Sequence, residues 1–353
     1  MEREGHRRKR FWRNKAFASI RAAALALMLA ASGCGESAQP PEASNGTVVP
    51  AQANAVDART GNVFDPALAK GKLAVVYLDL KNSAQSGDCI VIRSPDGKTM
   101  MIDAGIPDVG PQVLQYLQQM DIPSLDIVVN THPHPDHIGG LASVFRNVNV
   151  GKFYMINMPM QSWSAYASAM SAAKAKNIVP EYLEEGASFQ LGKDVRIEVL
   201  SPWKGELPDA MKNRSSSGSD AELGDVNNRS LVLLLTYKDT RFLFTADIHL
   251  DREVELVDKY GERLRADFMD APHHGISTSS TQKFLNAVSP KVAVINRNIF
   301  DNYAQLLKYM RSGIDTYVTA QVGSIAITSD GKKLAVVTER EKPQASSSQT
   351  SQK

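Results

Sequence analysis

Between Thr131 and Gly140 the chain reads THPHPDHIGG, which places three of its seven histidines and one carboxylate within six residues. Neutral imidazole and carboxylate are the donors a divalent ion such as zinc takes up, and four so close together make a chelating set. Pro133 and Pro135 restrict the backbone between the donors, so His132, His134, Asp136 and His137 leave a stiff loop. Gly139-Gly140 is expected to give a tight turn into a following helix. A histidine-rich surface loop would need neither the aspartate nor the glycines. The chemistry this set supports is metal-assisted hydrolysis, with water as the nucleophile.

Two further places carry donors. Asp247 closes the apolar run Arg241–Thr245, where its other reading is a helix cap ahead of IHLDREVEL. His273-His274 follow FMDAP, and adjacent side chains on extended backbone point to opposite sides, so one of the two is expected to face an ion. His249 reads as a helix-start or packing histidine. With only Cys34 and Cys89, the chain has no disulfide framework and no cysteine zinc ribbon, and Cys89 reads as a small buried residue in a strand.

The elements that must position these donors are legible as apolar periodicity. The histidine cluster follows directly on the strand stub Ile127–Asn130. Further strands are expected over 72–80, 89–93, 99–103, 151–157, 194–200, 230–237, 241–246, 267–271, 291–296, 315–319, 323–328 and 333–338, with helices over 111–120, 138–146, 163–176, 250–260, 279–287 and 302–311. Pro95-Asp96-Gly97, Lys238-Asp239-Thr240 and Asp330-Gly331 read as hairpin turns. Hairpins and single strands interspersed with helices predict mixed sheets covered by helices, an α/β (α+β) architecture in one domain over 71–340. Residues 203–228 read as a long polar loop.

The ends read differently. Residues 1–33 carry eight Lys or Arg against two Glu, a net of +6 that leaves −4 for residues 34–353 of the chain's +2. A mildly acidic body argues against strong binding to duplex nucleic acid, which wants a basic face. The basic start precedes a short apolar core at 22–32 that is too short to span a bilayer as a helix, and Ala31-Ser32-Gly33-Cys34 resembles a bacterial lipobox. Residues 1–34 are thus expected to be a lipoprotein signal. Cys34 becomes the lipidated residue, and the body is extracytoplasmic and anchored to a bacterial membrane. Residues 35–70 read as a flexible tether and 341–353 as a polar tail.

HxHxDH after a strand resembles the signature of the metallo-β-lactamase superfamily, whose fold is an αββα four-layer sandwich with metals at the sheet edge. Ser86-Gly87-Asp88 with CIVIRSPDGKTMMIDAG at 89–105 is similar to the opening strands of the ComEC-type competence hydrolase domain. Asn227-Asn228-Arg229-Ser230-Leu231-Val232-Leu233, FLFTAD at 242–247, Pro272-His273-His274-Gly275 and GSIAITSDGK at 323–332 resemble that branch's later motifs. The resemblance implies that His132 and His134 serve one metal and Asp136 and His137 another. It also implies that Asp247 bridges the two and that His274 completes the set. Asp136 and His274 would be catalytic as well as ligating, and His273 and Asn228 would support them or face the substrate. One or two divalent ions are implied, zinc first and manganese second.

The chain departs from the superfamily in having no histidine between His137 and His249, where a third ligand of the first metal is often found. Ile276 and Ala320 stand where the branch often has Ser and Asp. The resemblance, which extends to phosphorylcholine esterases, implies a phosphoesterase acting on DNA or envelope phosphodiesters. An acyl hydrolase for a lactam, lactone or other small ester or amide is the second reading. A surface binding protein with a vestigial site is the third.

Overall fold

Sheet alternation sorts the apolar residues into two cores, and the two cores define the layers. In the computed structural model, which describes residues 56–81, 87–207 and 225–343, Leu233, Leu235, Phe242, Phe244, Phe268, Val292 and Val294 pack into one cluster. Their immediate neighbours Leu234, Leu243, Met269, Ala293 and Ile295 pack into another. Successive residues of a strand face opposite sides, so the sheet that holds them is buried on both faces.

That sheet runs β14(Asp315–Val318)-β13(Val292–Ile295)-β12(Phe268–Asp270)-β11(Thr240–Phe244)-β10(Val232–Tyr237)-β9(Val195–Ser201)-β8(Ser188–Leu191). The other runs β1(Asp57–Thr60)-β16(Leu334–Thr338)-β15(Ile325–Ser329)-β2(Leu73–Tyr77)-β3(Ile90–Arg93)-β4(Thr99–Ile102)-β5(Ser124–Asn130)-β6(Asn149–Met155)-β7(Pro180–Tyr182). The two face each other across an aromatic core in which Tyr77 lies 5.8 Å from Phe268, centroid to centroid. Truncating a buried aromatic such as Phe268 to Ala would cost about 3–5 kcal/mol.

Helices close both outer faces. Val113 and Leu117 of α1(Gly110–Gln119), Leu141, Val144 and Phe145 of α3(Leu141–Asn147), and Ala165, Tyr166 and Ala169 of α4(Ser164–Ala175) join the first sheet's core. Leu256 of α5(Leu250–Tyr260), Phe284, Leu285 and Val288 of α6(Gln282–Val288), and Tyr309 of α7(Tyr303–Arg311) pack on the second. The result is the four-layer α/β sandwich that the sequence predicts. Short turns complete it, α2(Pro135–Ile138) within the histidine cluster and α8(Thr319–Val322) near the end. No helix among the described residues is long and apolar enough to cross a membrane.

Several boundaries differ from the sequence reading. The tether expected over 35–70 stops short of 57. Asp57–Thr60 pair in parallel with Ala335–Thr338, Val63 is buried, and Pro66–Ala69 form a turn of 3₁₀ helix capped by Asp65. Backbone pairing to β16 orders this stretch although its side chains are exposed. The signal segment with Cys34, the tether up to residue 55, Ser86, residues 208–224 of the polar loop and 344–353 of the tail lie outside the described residues.

The topology gathers strand ends at one edge. β4 and β5 are parallel neighbours in the first sheet, and β11, β12 and β13 are parallel in the second. Their C-terminal ends open toward the same place, where the amide of Leu231 donates to the carbonyl of Thr131 and ties the sheets together.

Candidate metal centre

The donors converge at that edge. Asp136, His137, Asp247 and His274 form one group, and His132, His134 and Asp247 form a second, each with donor atoms within 4.8 Å of one another. Asp247 is common to both and is 2% exposed. It caps nothing, because the N-cap of α5 is His249. Ala246 bends the chain at φ 47 just after β11 and turns Asp247 into the site.

Asp247 Oδ2 lies 3.2 Å from His137 Nε2, 3.4 Å from His274 Nε2, and 3.8 Å from both His132 Nε2 and His273 Nε2. Asp136 Oδ2 lies 3.6 Å from His274 Nε2 and 4.0 Å from His137 Nε2. His132 Nε2 and His134 Nδ1 are 3.0 Å apart.

Neighbouring groups settle which ring nitrogens are free. Asp103, just past β4 at φ 55, accepts from the Thr131 amide at 2.8 Å, Asn130 Nδ2 at 2.9 Å and Thr131 Oγ1 at 2.6 Å. Having given its proton to Asp103, the Thr131 hydroxyl accepts from His132 Nδ1–H at 3.0 Å. His137 Nδ1–H donates to Asp103 Oδ2 at 2.8 Å. His274 Nδ1 lies 3.2 Å from Asp88 Oδ1. The Nδ1 protons of His132 and His137 are thereby held, and Asp88 is placed to hold that of His274. The Nε2 atoms of all three lie toward Asp247, where a metal would take up their lone pairs.

The residues present fit a divalent ion on a direct observation. Asp247 Oδ1, His134 Nε2 and His274 Nε2 are buried side-chain atoms without a hydrogen-bond partner. A buried acceptor left unpaired costs about 1–3 kcal/mol, more when charged, so such a cluster is built for something that satisfies it. The electrostatics agree. Burial pushes the Asp247 carboxyl up, but His274, His137 and His273 outweigh it and hold the group well below the usual carboxylate range. Burial likewise depresses His132 and, more mildly, His134, which stay neutral donors. Burial also opposes charge on His137 and His274, yet Asp247 with Asp103 or Asp88 raises both. The pocket is rich in negative charge that wants a cation.

The local backbone corrects two expectations. His273 and His274 are not extended: both sit in the left-handed region, at φ 50 and 53, followed by Gly275 at φ 68. Two consecutive non-glycine residues there cost about 1–3 kcal/mol each and are held by tertiary contacts, among them the His273 amide bonded to the Ala246 carbonyl. Both rings therefore approach Asp247 rather than splaying apart, with His274 in the chelating group and His273 Nδ1 bonded to Thr278 Oγ1 at 2.7 Å.

Gly140, in turn, has ordinary helical angles (φ −70), so no unusual turn requires it. What requires glycine is close approach, since a Cβ there would meet the Ala104 carbonyl oxygen at 2.0 Å. That contact docks the end of β4, with Asp103, against the histidine loop. Gly87 does the same from the other side: at φ 75 its Cβ would lie 1.5 Å from the Asp136 carbonyl oxygen.

The two asparagines act differently, Asn227 through histidine rings of the site and Asn228 through backbone. Asn228 Oδ1 accepts from the His249 amide at the start of α5. Asn227 is buried, with Nδ2 3.1 Å from His249 Nε2 and 3.4 Å from His273 Nε2, and its Oδ1 is unpaired. His249 stacks on His273 at 4.6 Å, so all six histidines of the described residues gather here. Trp163, at the start of α4, stacks on His134 with centroids 5.3 Å apart and planes 16° apart.

Asp88, Asp103 and Trp163 are the residues sequence reasoning did not assign, whereas Asn227 or Asn228 is what it puts where the superfamily often has a further histidine. Asp88 and Asp103 stand in strand-edge motifs whose resemblance was visible, but nothing local marks either as the partner of a histidine. Cys89, next to Asp88, is fully buried just before β3, and burial raises its thiol well above the ordinary value, which leaves no thiolate nucleophile.

The chain is 27% identical over 196 residues to ComE operon protein 3 of Bacillus subtilis (strain 168), covering 55% of this chain and 23% of that protein. It is 26% identical over 238 residues to competence protein ComA of Neisseria gonorrhoeae, covering 67% of this chain and 29% of that one. The chain thus spans about a quarter of the length of these curated relatives. Among solved structures, the metallo-beta-lactamase fold protein YhfI from Bacillus subtilis aligns with a TM-score of 0.44 and 10% identity, over 70% of this chain and 96% of that one. Residues 83–295 match the profile of the Metallo-beta-lactamase superfamily, and the chain belongs to that superfamily.

Proposed function

We propose that this protein is an exported, lipid-anchored, metal-dependent phosphodiesterase. The observation that carries the catalytic part is Asp247, one buried carboxylate shared by two converging donor sets. When bound, divalent ions there supply activated water at neutral pH and offset charge developing on phosphoryl oxygens. The chain's own groups prepare that chemistry. Asp103 and Thr131 hold protons on Nδ1 of His137 and His132, and Asp88 is placed to do so for His274. Asp136, at 21% side-chain exposure, and His274, at 11%, border the cavity from which a substrate would enter. Zinc suits this nitrogen-rich donor set, with manganese second.

The competence proteins among its relatives put DNA phosphodiesters beside envelope phosphodiesters as substrates to test. The net charge of −4 beyond residue 33 favours a substrate gripped at the metal site over a broad duplex-binding face. Export and anchoring rest on the basic start, the short apolar core and Cys34.

The test is hydrolysis of bis-p-nitrophenyl phosphate, p-nitrophenyl phosphorylcholine and nitrocefin by the purified protein, with zinc or manganese supplied and Asp136→Ala as control. Phosphodiester turnover that the variant lacks is the expected result. Nitrocefin turnover alone would replace this reading with acyl hydrolysis. Inactivity on all three without bound metal would leave a binding protein. Incorporation of labelled palmitate, lost in Cys34→Ala, tests the anchor.

A further inference from the structure

A cavity opens beside the donor sets, lined by Gly87, Asp136, His273, His274, Ile276, Asn296, Arg297 and Asn298. Its far wall is the turn that follows β13, the third of the parallel strands whose ends build the site. That turn is tied down. The Arg297 amide donates to Thr319 Oγ1 at 2.8 Å, and the Thr319 hydroxyl lies 3.1 Å from Asn296 Oδ1. Asn296 Nδ2 donates to Asp88 Oδ1 at 2.9 Å, the same oxygen that faces His274 Nδ1. Asn298 Nδ2 donates to the Leu80 carbonyl. The backbone carrying Arg297 is thus pinned to the carboxylate that orients a metal-site histidine.

The Arg297 guanidinium is the one permanent cation among the cavity's lining residues. Its side chain is 21% exposed, and its ion pair with Asp301 is long, 3.5 Å, to a carboxylate 71% exposed. Such a pair is worth about 0–1 kcal/mol and yields readily to a better partner. Asp136, the one carboxylate among the lining residues, belongs to a cation-binding set, so its charge is met from the metal side. Arg297 thus brings a planar fork of donors to the wall of a cavity that Asp136 and His274 also border, and such a fork matches two oxygens of one phosphoryl group.

We propose that Arg297 is the anion-recognising arm of this site, gripping the non-bridging oxygens of a phosphate ester and thereby selecting anionic phosphoryl substrates over neutral acyl ones. This deepens the phosphodiesterase reading and rests on it. The grip itself is measurable without turnover.

The experiment is calorimetric titration of inorganic phosphate into the metal-loaded protein, alongside kinetics on bis-p-nitrophenyl phosphate and the neutral ester p-nitrophenyl acetate. Arg297→Ala should weaken phosphate binding and raise KM for the phosphodiester by about 10- to 100-fold, the usual worth of a charge-assisted hydrogen-bonded contact. Metal content should stay unchanged, and binding or turnover of the neutral ester should not suffer. Arg297→Lys keeps the charge without the fork and should recover part of the loss, which separates recognition from misfolding. Phosphate affinity unchanged in Arg297→Ala would overturn the assignment even if the wild type cleaves phosphodiesters. A wild type inactive on phosphodiesters, with phosphate affinity still dependent on Arg297, would instead sink the phosphodiesterase reading and leave the anion arm standing.

Discussion

Asp103 Oδ2 lies 2.8 Å from His137 Nδ1, and all four acceptor positions of the Asp103 carboxylate are taken by groups of the histidine loop or the strand before it. The carboxylate at the end of β4 thereby sets the protonation of two donors on the neighbouring β5 loop, His137 directly and His132 through Thr131. Partners that fix a ligand's tautomer typically matter 10- to 100-fold in metal affinity.

Asp103→Asn is therefore expected to weaken metal binding by about 10- to 100-fold, because an amide nitrogen, itself a donor, would face donors that a carboxylate oxygen now accepts from. Competition titration with a chromophoric chelator reads this directly. An affinity within a factor of two of wild type would show that His137 and His132 need no such partner.

Stoichiometry separates the two donor sets. Asp247 belongs to both, whereas Asp136 belongs to one. Asp247→Ala should abolish tight binding of every ion, while Asp136→Ala should leave His132, His134 and Asp247 able to hold one weakly. Elemental analysis after gel filtration gives the counts. Equal metal content in the two variants would contradict the shared-carboxylate arrangement.

Trp163 offers an optical readout. Its ring stacks on His134, whereas Trp203 lies against Tyr260, Arg252 and Lys259. Metal uptake at His134 should change tryptophan emission in the wild type and in Trp203→Phe. In Trp163→Phe the change should vanish. A metal-dependent signal that survives Trp163→Phe would mean that His134 is not perturbed by the ion.

How much of this was legible depends on how local each signal is. THPHPDH is contiguous, so its donors were visible at once, and long amphipathic stretches such as 250–260 and 302–311 match their helices to within a residue or two. Strands β7 and β8 were not foreseen. They are short and largely solvent-facing, with Pro180, Glu181 and Gln190 in place of apolar alternation, and partners rather than pattern order them. β1, DART, is the extreme case, exposed throughout and recruited by backbone pairing alone. Within the site, Asp88 and Asp103 escaped assignment because each meets its histidine across more than thirty residues or between sheets, where no spacing rule applies. In the His273-His274 pair only the backbone departs from expectation, because extended backbone is the default after a strand. Only the tertiary contacts of that turn stabilise two left-handed residues in succession.

Asp270, at the end of β12, gives the fold a pH dependence separate from its ligands. Burial, reinforced by nearby Asp88 and Asp247, pushes its carboxyl up to about 8 from an ordinary 3.8, against the lowering effect of two hydrogen bonds from Thr245. A raised pKa means that the folded state binds this proton more tightly than the unfolded chain. The stabilisation is thus fully present below about pH 4 and is lost as pH rises through about 8. The slope from this one group cannot exceed about 1.4 kcal/mol per pH unit. Asp270→Asn keeps an amide oxygen for the Thr245 amide and hydroxyl but removes the titration. Urea melts in the presence of a chelator, at intervals between pH 4.5 and 8, should show wild-type stability falling relative to Asp270→Asn as pH rises. Parallel curves for the two proteins across that window would show that Asp270 folds as an ordinary ionised carboxylate.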